Sequence, residues 1–265
     1  MSFDIGAVEE GIAGTEFCGS VMHFPTVRST NTLALEAAQA GARGGVWVAD
    51  EQTAGRGRGG HDWHSSAGDG LYVSALITPS LPIKLALLLS LATGLAAKHA
   101  VAEVTGLDAD IRWPNDLLLN RKKCGGILVE TAVTPPSTLT AEAILRYAVI
   151  GVGINLNQKS FPDDIARLAT SLHIESKTLV SRETMLIALL RALDGELRLL
   201  TNEHDEQLLK RFADASTWVR CKRVRVEENG GYTGVTAGLD ANGFLLVDSD
   251  DGVRRTVLSG GVREQ

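Results

Sequence analysis

A run of alternating glycines and arginines carries the strongest chemical signal in the sequence. It begins at Gly55, ends at Gly60 and includes Arg56 and Arg58. Glycine leaves the backbone bare enough to approach a ligand closely, and a guanidinium group binds phosphate or carboxylate oxygens in bidentate fashion. The run therefore predicts a loop that clamps an anion, although basic glycine-rich loops without a binding role are also common on protein surfaces.

The same residues contain a GxGxxG pattern, which is typical of dinucleotide-binding folds. In those folds the glycine loop opens directly into a helix whose N-terminus holds the pyrophosphate. Here residues 61–66 lead instead into a strand that is predicted to begin at Leu71. We therefore expect an anion-binding loop between two strands rather than a dinucleotide site.

Three further motifs have residue types suited to ligand binding. Residues 29–31 (Ser-Thr-Asn) open a predicted helix, where they are either an ordinary N-cap or a source of hydroxyl and amide groups for a ligand. Residues 112–117 and 123–128 read RWPNDL and KCGGIL, which a turn followed by a hairpin would also explain. Residues 151–157 read GVGINLN, which indicates either a backbone that lies against a ligand or a packed strand with a bulge.

Together the four motifs resemble those of biotin protein ligases, and they occur in the family's order over residues 26–157. The glycine-arginine loop is similar to the family's GRGRxGRxW, with Trp63 at its end and His61 where the family usually has arginine. The later motifs are similar to KWPNDL, KxxGIL and GIGINxN, with Arg112 in place of the lysine.

This resemblance implies an α+β fold with a mixed, largely antiparallel sheet and packed helices, a core like that of class II synthetases. A weaker likeness at residues 258–262 implies a small C-terminal SH3-like β-barrel. Only about 20 residues precede the first expected strand at Val21, so the sequence is similar to the monofunctional type without an N-terminal helix-turn-helix domain.

The resemblance also implies an activity and its partners. Such an enzyme activates biotin with ATP and Mg²⁺ to biotinyl-5'-AMP, releases pyrophosphate, and transfers biotin to a lysine of the biotin carboxyl carrier protein of a carboxylase. The residues implied for biotin binding are Ser29, Thr30, Asn31, Gln52, Gly55, Arg56, Gly57, Lys123, Gly125 and Gly126. Those implied for ATP or adenylate binding are Arg56, Arg58, Trp63, Asn115, Asp116, Asn155 and Asn157. No direct protein ligand of Mg²⁺ is assigned.

Three residues are implied to be catalytic. The biotin carboxylate must attack the α-phosphate of ATP, so cations are needed to offset the repulsion between two anions. By the resemblance, Lys123 contacts the biotin carboxylate and α-phosphate, and Arg58 binds phosphate and retains the adenylate. Asp116 is the candidate that orients the acceptor lysine or accepts its proton.

Two other functions remain open at this stage. A lipoate-type ligase runs the same adenylation on a different ring system, although the GRGRxG loop favours biotin. A non-catalytic biotin-binding module is a different class of answer. Such a module would need a DNA-binding domain or the loss of the phosphate-binding residues, and neither is evident in the sequence.

Composition limits the remaining possibilities. The 265 residues are 44% apolar with a net charge of -6 and no dense basic run, so nucleic acid is not the expected partner. Cys18, Cys124 and Cys221 form no CxxC pair, which suits a reducing cytoplasm. The start lacks the order of a secretory signal, and the apolar run at residues 85–97 is too short to span a bilayer, so no membrane association is expected. A homodimer is left open.

Periodicity and turn signals place the elements that must position these motifs. Helices are predicted at residues 31–40, 82–103, 163–169, 182–200 and 203–212. Strands are predicted at 46–50, 71–77, 111–113, 116–119, 126–133 and 146–156, and then at 224–227, 231–239, 244–248 and 254–258. The change in pattern after residue 215 predicts a ligase catalytic domain at 1–215 and a small β-barrel domain at 216–265.

Overall fold

The computed structural model describes residues 3–134, 142–201, 205–259 and 261–265. In these ranges the larger sheet has the strand order β1-β2-β3-β7-β6-β5-β4. Its strands are β1 Val21–Val27, β2 Gly45–Gln52, β3 Gly70–Ile77, β4 Asp110–Arg112, β5 Asp116–Leu119, β6 Lys122–Thr134 and β7 Ile144–Asn155. Strands β1 and β2 are parallel and the other neighbours are antiparallel. The predicted mixed, largely antiparallel sheet is therefore confirmed.

Helices cover this sheet. They are α1 Ile5–Gly11, α2 Thr30–Gln39, α3 Ala86–Thr105, α4 Leu172–Ser176, α5 Arg182–Thr201 and α6 Asp205–Ala215. With the turn before it, α3 forms the apolar segment Ile83–Thr105, which is long enough to cross a membrane, but 67% of its most apolar window is buried inside the fold. It packs against α5, α6 and the sheet, so it is the central core helix that its apolar composition predicts.

The C-terminal part forms a second, antiparallel sheet with the order β11-β10-β9-β8-β12. Its strands are β8 Arg220–Val226, β9 Tyr232–Leu239, β10 Leu245–Ser249, β11 Arg254–Val257 and β12 Val262–Glu264. Gly230 and Gly243 both have φ of +85° in the turns that join β8 to β9 and β9 to β10, as the two Asn-Gly pairs predict. The α+β fold class with a C-terminal β domain is confirmed.

The two sheets meet over shared apolar contacts. One buried cluster includes Ile111 of β4 and Trp113 just after it, together with Trp218 just before β8 and Val247 of β10. The indole Nε1 of Trp113 donates to the carbonyl of Gly243 at 2.9 Å across this junction. The boundary at residue 216 remains a prediction, since the hydrophobic core is continuous across it.

One predicted helix is wrong. Residues 163–169 form successive turns, in which Ile165 N donates to Pro162 O at 3.0 Å and Ala169 N donates to Ile165 O at 2.9 Å. The carbonyl of Leu168 accepts instead from Lys123 N at 2.8 Å. The segment is therefore held beside the start of β6, and this tertiary pairing overrides its local helix propensity.

Three short elements were not predicted. Helix α1 is capped by the Asp4 carboxylate, which accepts from Ala7 N at 3.0 Å, and α4 begins after the Ser171 cap. Strand β12 has only three residues and pairs with β8. None of the three is long enough to show a hydrophobic period, so their sequences carry little signal.

Replacing a buried leucine of α3 tests whether packing of this helix in the core stabilises the fold. Leu89 is fully buried, so Leu89→Ala should lower the free energy of unfolding by about 2–5 kcal/mol. Leu179 is 71% exposed, and Leu179→Ala should change it by less than about 0.5 kcal/mol. Urea unfolding followed by circular dichroism measures both, and similar values for the two variants would contradict the assignment of α3 as the core helix.

Candidate active site

A cavity on the face of the larger sheet brings residues of all four motifs together. Its lining comes from the start of α2, the glycine-arginine loop, and strands β3, β6 and β7. The lining residues are Ser29, Thr30, Asn31, Gln52, Arg56, Gly57, Arg58, Trp63, Val73, Asn115, Lys123, Gly126, Ile127, Leu128, Gly151, Val152 and Gly153. Segments that are distant in the sequence therefore form one site, and we name it the sheet cavity.

One wall of the sheet cavity is polar and uncharged. The Gln52 amide oxygen accepts from Thr30 N at 2.8 Å and from Thr30 Oγ1 at 3.1 Å, and its amide nitrogen donates to Ser65 Oγ at 3.0 Å. Ser29 is at the N-cap position of α2, yet its side chain makes no capping hydrogen bond. The capping explanation for Ser29 is therefore not supported, and the residue lines the cavity.

Ser74 does not line the cavity but contacts two residues of this wall from behind, and sequence reasoning missed it. Its hydroxyl oxygen is 2.5 Å from Asn31 Oδ1, to which it can donate, and 2.8 Å from the Thr30 hydroxyl oxygen, and its side chain is fully buried. A serine inside the apolar run of β3 was the available signal, because a buried hydroxyl needs a partner.

The glycine-arginine loop folds back on itself rather than opening into a helix. Gly57 N donates to His61 O at 2.6 Å, and Trp63 N donates to Gly55 O at 2.9 Å. A Cβ at Gly55 would lie 2.6 Å from the carbonyl oxygen of Trp63, so only glycine fits there. The dinucleotide-binding interpretation is thus excluded by the local geometry. Gly55 shapes the loop and does not line the cavity.

Trp63 lies flat against the backbone of β7. A Cβ at Gly153 would lie 2.5 Å from the Trp63 ring, and one at Gly126 would lie 3.1 Å from it. Gly151 has the same relation to the Asn31 amide, which would overlap an added Cβ. The glycines of the GVGIN motif therefore admit side chains of the protein itself. The buried Trp63 Nε1 has no hydrogen-bond partner in the described residues.

A largely buried carboxylate, that of Asp116, lies between two cations at the edge of the sheet cavity. Asp116 Oδ1 is 2.5 Å from Lys123 Nζ, and Asp116 Oδ2 is 2.5 Å from Arg112 Nη2. Burial by itself would raise the pKa of the Asp116 carboxyl, but the attraction of Lys123 and Arg112 outweighs it and holds that pKa below its ordinary value. Asp116 is therefore ionised and fully engaged, which suits orientation of Lys123 better than proton acceptance.

The two loop arginines have different surroundings. Arg56 Nη2 is 2.7 Å from Glu130 Oε2, a carboxylate that also accepts from Asn31 Nδ2 at 2.9 Å. The Arg58 side chain forms no ion pair or hydrogen bond with any residue in the described ranges. Burial lowers the pKa of the Arg58 guanidinium, partly offset by the charges of Asp116 and Glu228, but arginine stays protonated at neutral pH.

A second cavity adjoins the first, and we name it the junction cavity. It lies between the glycine-arginine loop, residues 112–116 and the C-terminal sheet, and it shares Arg58 and Lys123 with the sheet cavity. The C-terminal sheet contributes Glu227, Ser259, Gly261, Val262 and Arg263 to its lining. Sequence reasoning missed this contribution, because nothing local marks residues that a distant part of the chain brings to a site.

The three asparagines that were expected to bind ATP or adenylate have different surroundings in the structure. Asn115 lines both cavities, and its Nδ2 donates to Ile127 O at 2.9 Å. Asn155 is buried, and its Nδ2 donates to Thr170 O at 2.9 Å beside Lys123. Asn157 lines neither cavity, because both ends of its amide bind the backbone of Val180 at 2.9 Å.

The expectation for Asn157 as an adenylate-binding residue therefore gains no support. Gly125 also lies outside the sheet cavity: a Cβ there would lie 2.9 Å from Leu117 Cδ1, so its role is to allow β5 and β6 to pack closely. No cluster of three His, Cys, Asp or Glu side chains that could hold a metal is present in the described part of the chain.

Comparisons with known proteins agree with this geometry. Residues 23–155 match the model of the biotin/lipoate A/B protein ligase family, and residues 222–262 match the biotin protein ligase C-terminal domain. The first match alone spans half of the chain, and it contains the first three motifs and residues 151–155 of the fourth. The chain belongs to the biotin protein ligase family. The C-terminal match covers every C-terminal residue that lines the junction cavity except Arg263.

Individual relatives support the family assignment. The chain is 31% identical over 245 residues to the bifunctional ligase/repressor BirA of Bacillus spizizenii, covering 91% of this chain and 73% of the relative. It is 33% identical over 241 residues to a biotin–acetyl-CoA-carboxylase ligase of Mycobacterium tuberculosis, covering 88% and 84%. The biotin protein ligase of Aquifex aeolicus, solved with biotin and ATP, superposes with a TM-score of 0.77 at 27% identity, covering 93% of this chain and 100% of that one.

An added methyl group at Gly153 tests the contact with Trp63. Gly153→Ala forces the indole away from β7, so it should lower the free energy of unfolding by about 1–3 kcal/mol. Gly195 lies inside α5 with nothing within 4 Å of an added Cβ, so Gly195→Ala should raise stability by about 0.5–1 kcal/mol. Urea unfolding compares the two, and a neutral or stabilising Gly153→Ala would show that Trp63 does not pack there.

The ion pairs of Asp116 predict a pH-dependent contribution to stability. Because its pKa is lower in the folded protein than in the unfolded chain, the contribution is present above about pH 4 and is lost as the pH falls through the folded pKa. Asp116→Asn should therefore destabilise the protein at pH 7, with a difference from wild type that shrinks below about pH 4. Unfolding midpoints across pH measure this.

An exposed aspartate provides the control. Asp163 is exposed and has no ion pair or hydrogen bond among the described residues, so Asp163→Asn should change the unfolding midpoint little at any pH. A constant difference between wild type and Asp116→Asn from pH 7 to pH 3 would show that ionisation of Asp116 does not stabilise the fold.

Proposed function

We propose that the protein is a biotin protein ligase that forms biotinyl-5'-AMP from biotin and ATP, releases pyrophosphate, and transfers biotin to a lysine of a biotin carboxyl carrier protein. The observation that supports this most directly is the position of Arg58. Its half-buried guanidinium, without an ion pair in the described residues, lies where the sheet cavity meets the junction cavity. A guanidinium that is partly withdrawn from water and has no protein partner favours binding of an anion, and a phosphate between the two cavities would supply it.

Biotin suits the sheet cavity. Its ureido ring is neutral and needs hydrogen-bond donors and acceptors without a countercharge, which Ser29, Thr30 and Gln52 offer. Val73 and Ile127 provide apolar surface for the rest of the molecule. The proposed biotin site therefore ends near Lys123, where the carboxylate of the acyl chain would lie.

The first step joins two anions. A biotin carboxylate oxygen attacks the α-phosphorus of ATP, and the bond from that phosphorus to the bridging oxygen breaks, so pyrophosphate leaves. Lys123 and Arg58 offset the repulsion and stabilise the charge that develops on the phosphate oxygens. Both line both cavities, so neither has to move far between substrates.

The second step transfers the acyl group. The acceptor lysine, as a free amine, attacks the carboxyl carbon, the bond to the phosphate oxygen breaks, AMP leaves, and the amine proton passes to solvent. We assign Asp116 the orienting role rather than that of the base, because both of its oxygens already accept from cations. The depressed pKa of Asp116 has the same consequence.

Mg²⁺ enters this proposal only as the companion of ATP, whose phosphate charge it would reduce. The described residues hold no cluster of three carboxylate, histidine or cysteine side chains, and the Asp116 carboxylate in the site is already paired with two cations. The donor set therefore does not build a protein cage for the ion, and no step is assigned to it.

Pyrophosphate release tests the function and the ring specificity together. The protein is incubated with ATP, Mg²⁺ and either biotin or lipoate, and a biotin carboxyl carrier domain is then added and analysed by mass. Biotin-dependent release and a carrier heavier by one biotin are expected. Release with lipoate but not with biotin would contradict biotin as the substrate. The absence of release with both compounds would contradict the ligase function.

Arg58→Met separates the chemistry from binding in the same assay. Losing one cation at the developing charge should slow biotinyl-5'-AMP formation by roughly 100-fold, while biotin still binds the uncharged wall. Arg43→Met makes the same change at an exposed arginine that lines neither cavity, and it should leave the rate unchanged. Equal rates for the two variants would remove Arg58 from the mechanism.

A further inference from the structure

An aromatic ring lies against two cations where the C-terminal sheet meets the larger sheet. Trp218 is buried just before β8. The guanidinium carbon of Arg112 is 5.5 Å from the centroid of its ring, and Lys222 Nζ is 5.0 Å from that centroid. Both distances are within the range of cation–π attraction, which is stronger where water is excluded. The ring is therefore an electrostatic partner of Arg112 as well as a core residue.

Hydrogen bonds fix this ring relative to the strand that carries Arg112. Ser216 Oγ donates to Ile111 O at 2.5 Å. Thr217 N and Oγ1 donate to the Asp110 carboxylate at 3.0 and 2.6 Å. The residues immediately before Trp218 are thus fastened to β4, so the ring cannot drift away from the guanidinium while these contacts persist.

Arg112 in turn determines how the Asp116 carboxylate is rotated. Its Nε and Nη2 both donate to Asp116 Oδ2, at 3.1 and 2.5 Å. Oδ1 is then left for Lys123 Nζ at 2.5 Å. Because one oxygen is held from two nitrogens of a planar group, the other oxygen has a defined direction. A continuous path of contacts therefore joins the Trp218 ring to the Lys123 ammonium.

We propose that Trp218 is a positioning residue for Lys123, acting through Arg112 and Asp116; this rests on the proposed function of Lys123 in adenylate formation. Trp218 lines neither cavity, so it does not touch biotin or ATP. The aromatic face holds the guanidinium, the guanidinium holds the carboxylate, and the carboxylate directs the ammonium at the reacting groups. In this way the C-terminal sheet takes part in the chemistry of the larger one.

A double-mutant cycle on the full-length protein tests this path. The variants are Trp218→Leu, Arg112→Met and the two combined, and the readouts are the saturating rate of biotinyl-5'-AMP formation and the half-saturating biotin concentration. Trp218→Leu should lower the rate by about fivefold, the loss of one cation–π contact, while the half-saturating concentration stays within about twofold. Trp218→Phe keeps an aromatic face and should restore most of the rate.

The decisive measurement is whether the rate losses of the two single variants add up in the double variant. If Trp218 acts through Arg112, the double variant should be as slow as Arg112→Met alone, because the path is already broken. If Trp218→Leu lowers the rate by the same factor with and without Arg112, Trp218 is an ordinary core residue and the proposal is wrong. A normal rate in a folded Trp218→Leu variant would also contradict the proposal. If the leucine variant does not fold, Trp218→Met fills the space with a flexible side chain and carries the same cycle.

Two controls complete the design. Arg254→Met removes an exposed ion pair with Asp248 on the same C-terminal sheet and should leave the rate and the half-saturating concentration unchanged. Wild type is measured first: if it forms no biotinyl-5'-AMP, the proposed function fails before the cycle begins. An active wild type with additive variants fails the positioning proposal alone.

Discussion

A largely buried carboxylate held between two cations is the constraint on which the site depends. Asp116 is 13% exposed, and a charge this far from water is tolerated only when it is paired. The strand register brings the two cations to Asp116: Arg112 of β4 pairs directly with Asp116 of β5, and Lys123 lies on β6, the other neighbour of β5. A bulge between Leu117 and Leu118 shifts the β5–β6 pairing, so that the ammonium of Lys123 reaches the carboxylate.

Close approach to glycine backbone is the second organising feature. Trp63 and Asn31 occupy the space that side chains would take at Gly153 and Gly151 of β7. The loop and the start of α2 are thereby held against the same strand, one on each glycine. Their arginine, hydroxyl and amide groups converge on one cavity because these two contacts leave them little freedom.

Much of the fold followed from sequence pattern, and the exceptions share a cause. The apolar run of α3 and the strands around the motifs were placed within a few residues, because each is long enough to show its period. Residues 163–169 form turns because the Leu168 carbonyl accepts a hydrogen bond from Lys123 N. Lys123 is 45 residues away in the sequence, so no local pattern indicates this partner. Helices α1 and α4 and strand β12 are too short to carry a signal of their own.

The sequence by itself determined which chemical groups the site contains and the family to which they belong, because the motifs specify residue types at fixed local spacing. Only the tertiary structure decided which of those groups line the cavities and which hold other parts of the protein in place. Asn157 binds the backbone of Val180, Ser74 supports the polar wall through Thr30, and the C-terminal sheet contributes to the lining of the junction cavity. The physical reason is that a hydrogen bond, an ion pair or a ring contact depends on distance in space, and the chain brings residues such as Arg112 and Trp218 together only when the two sheets pack.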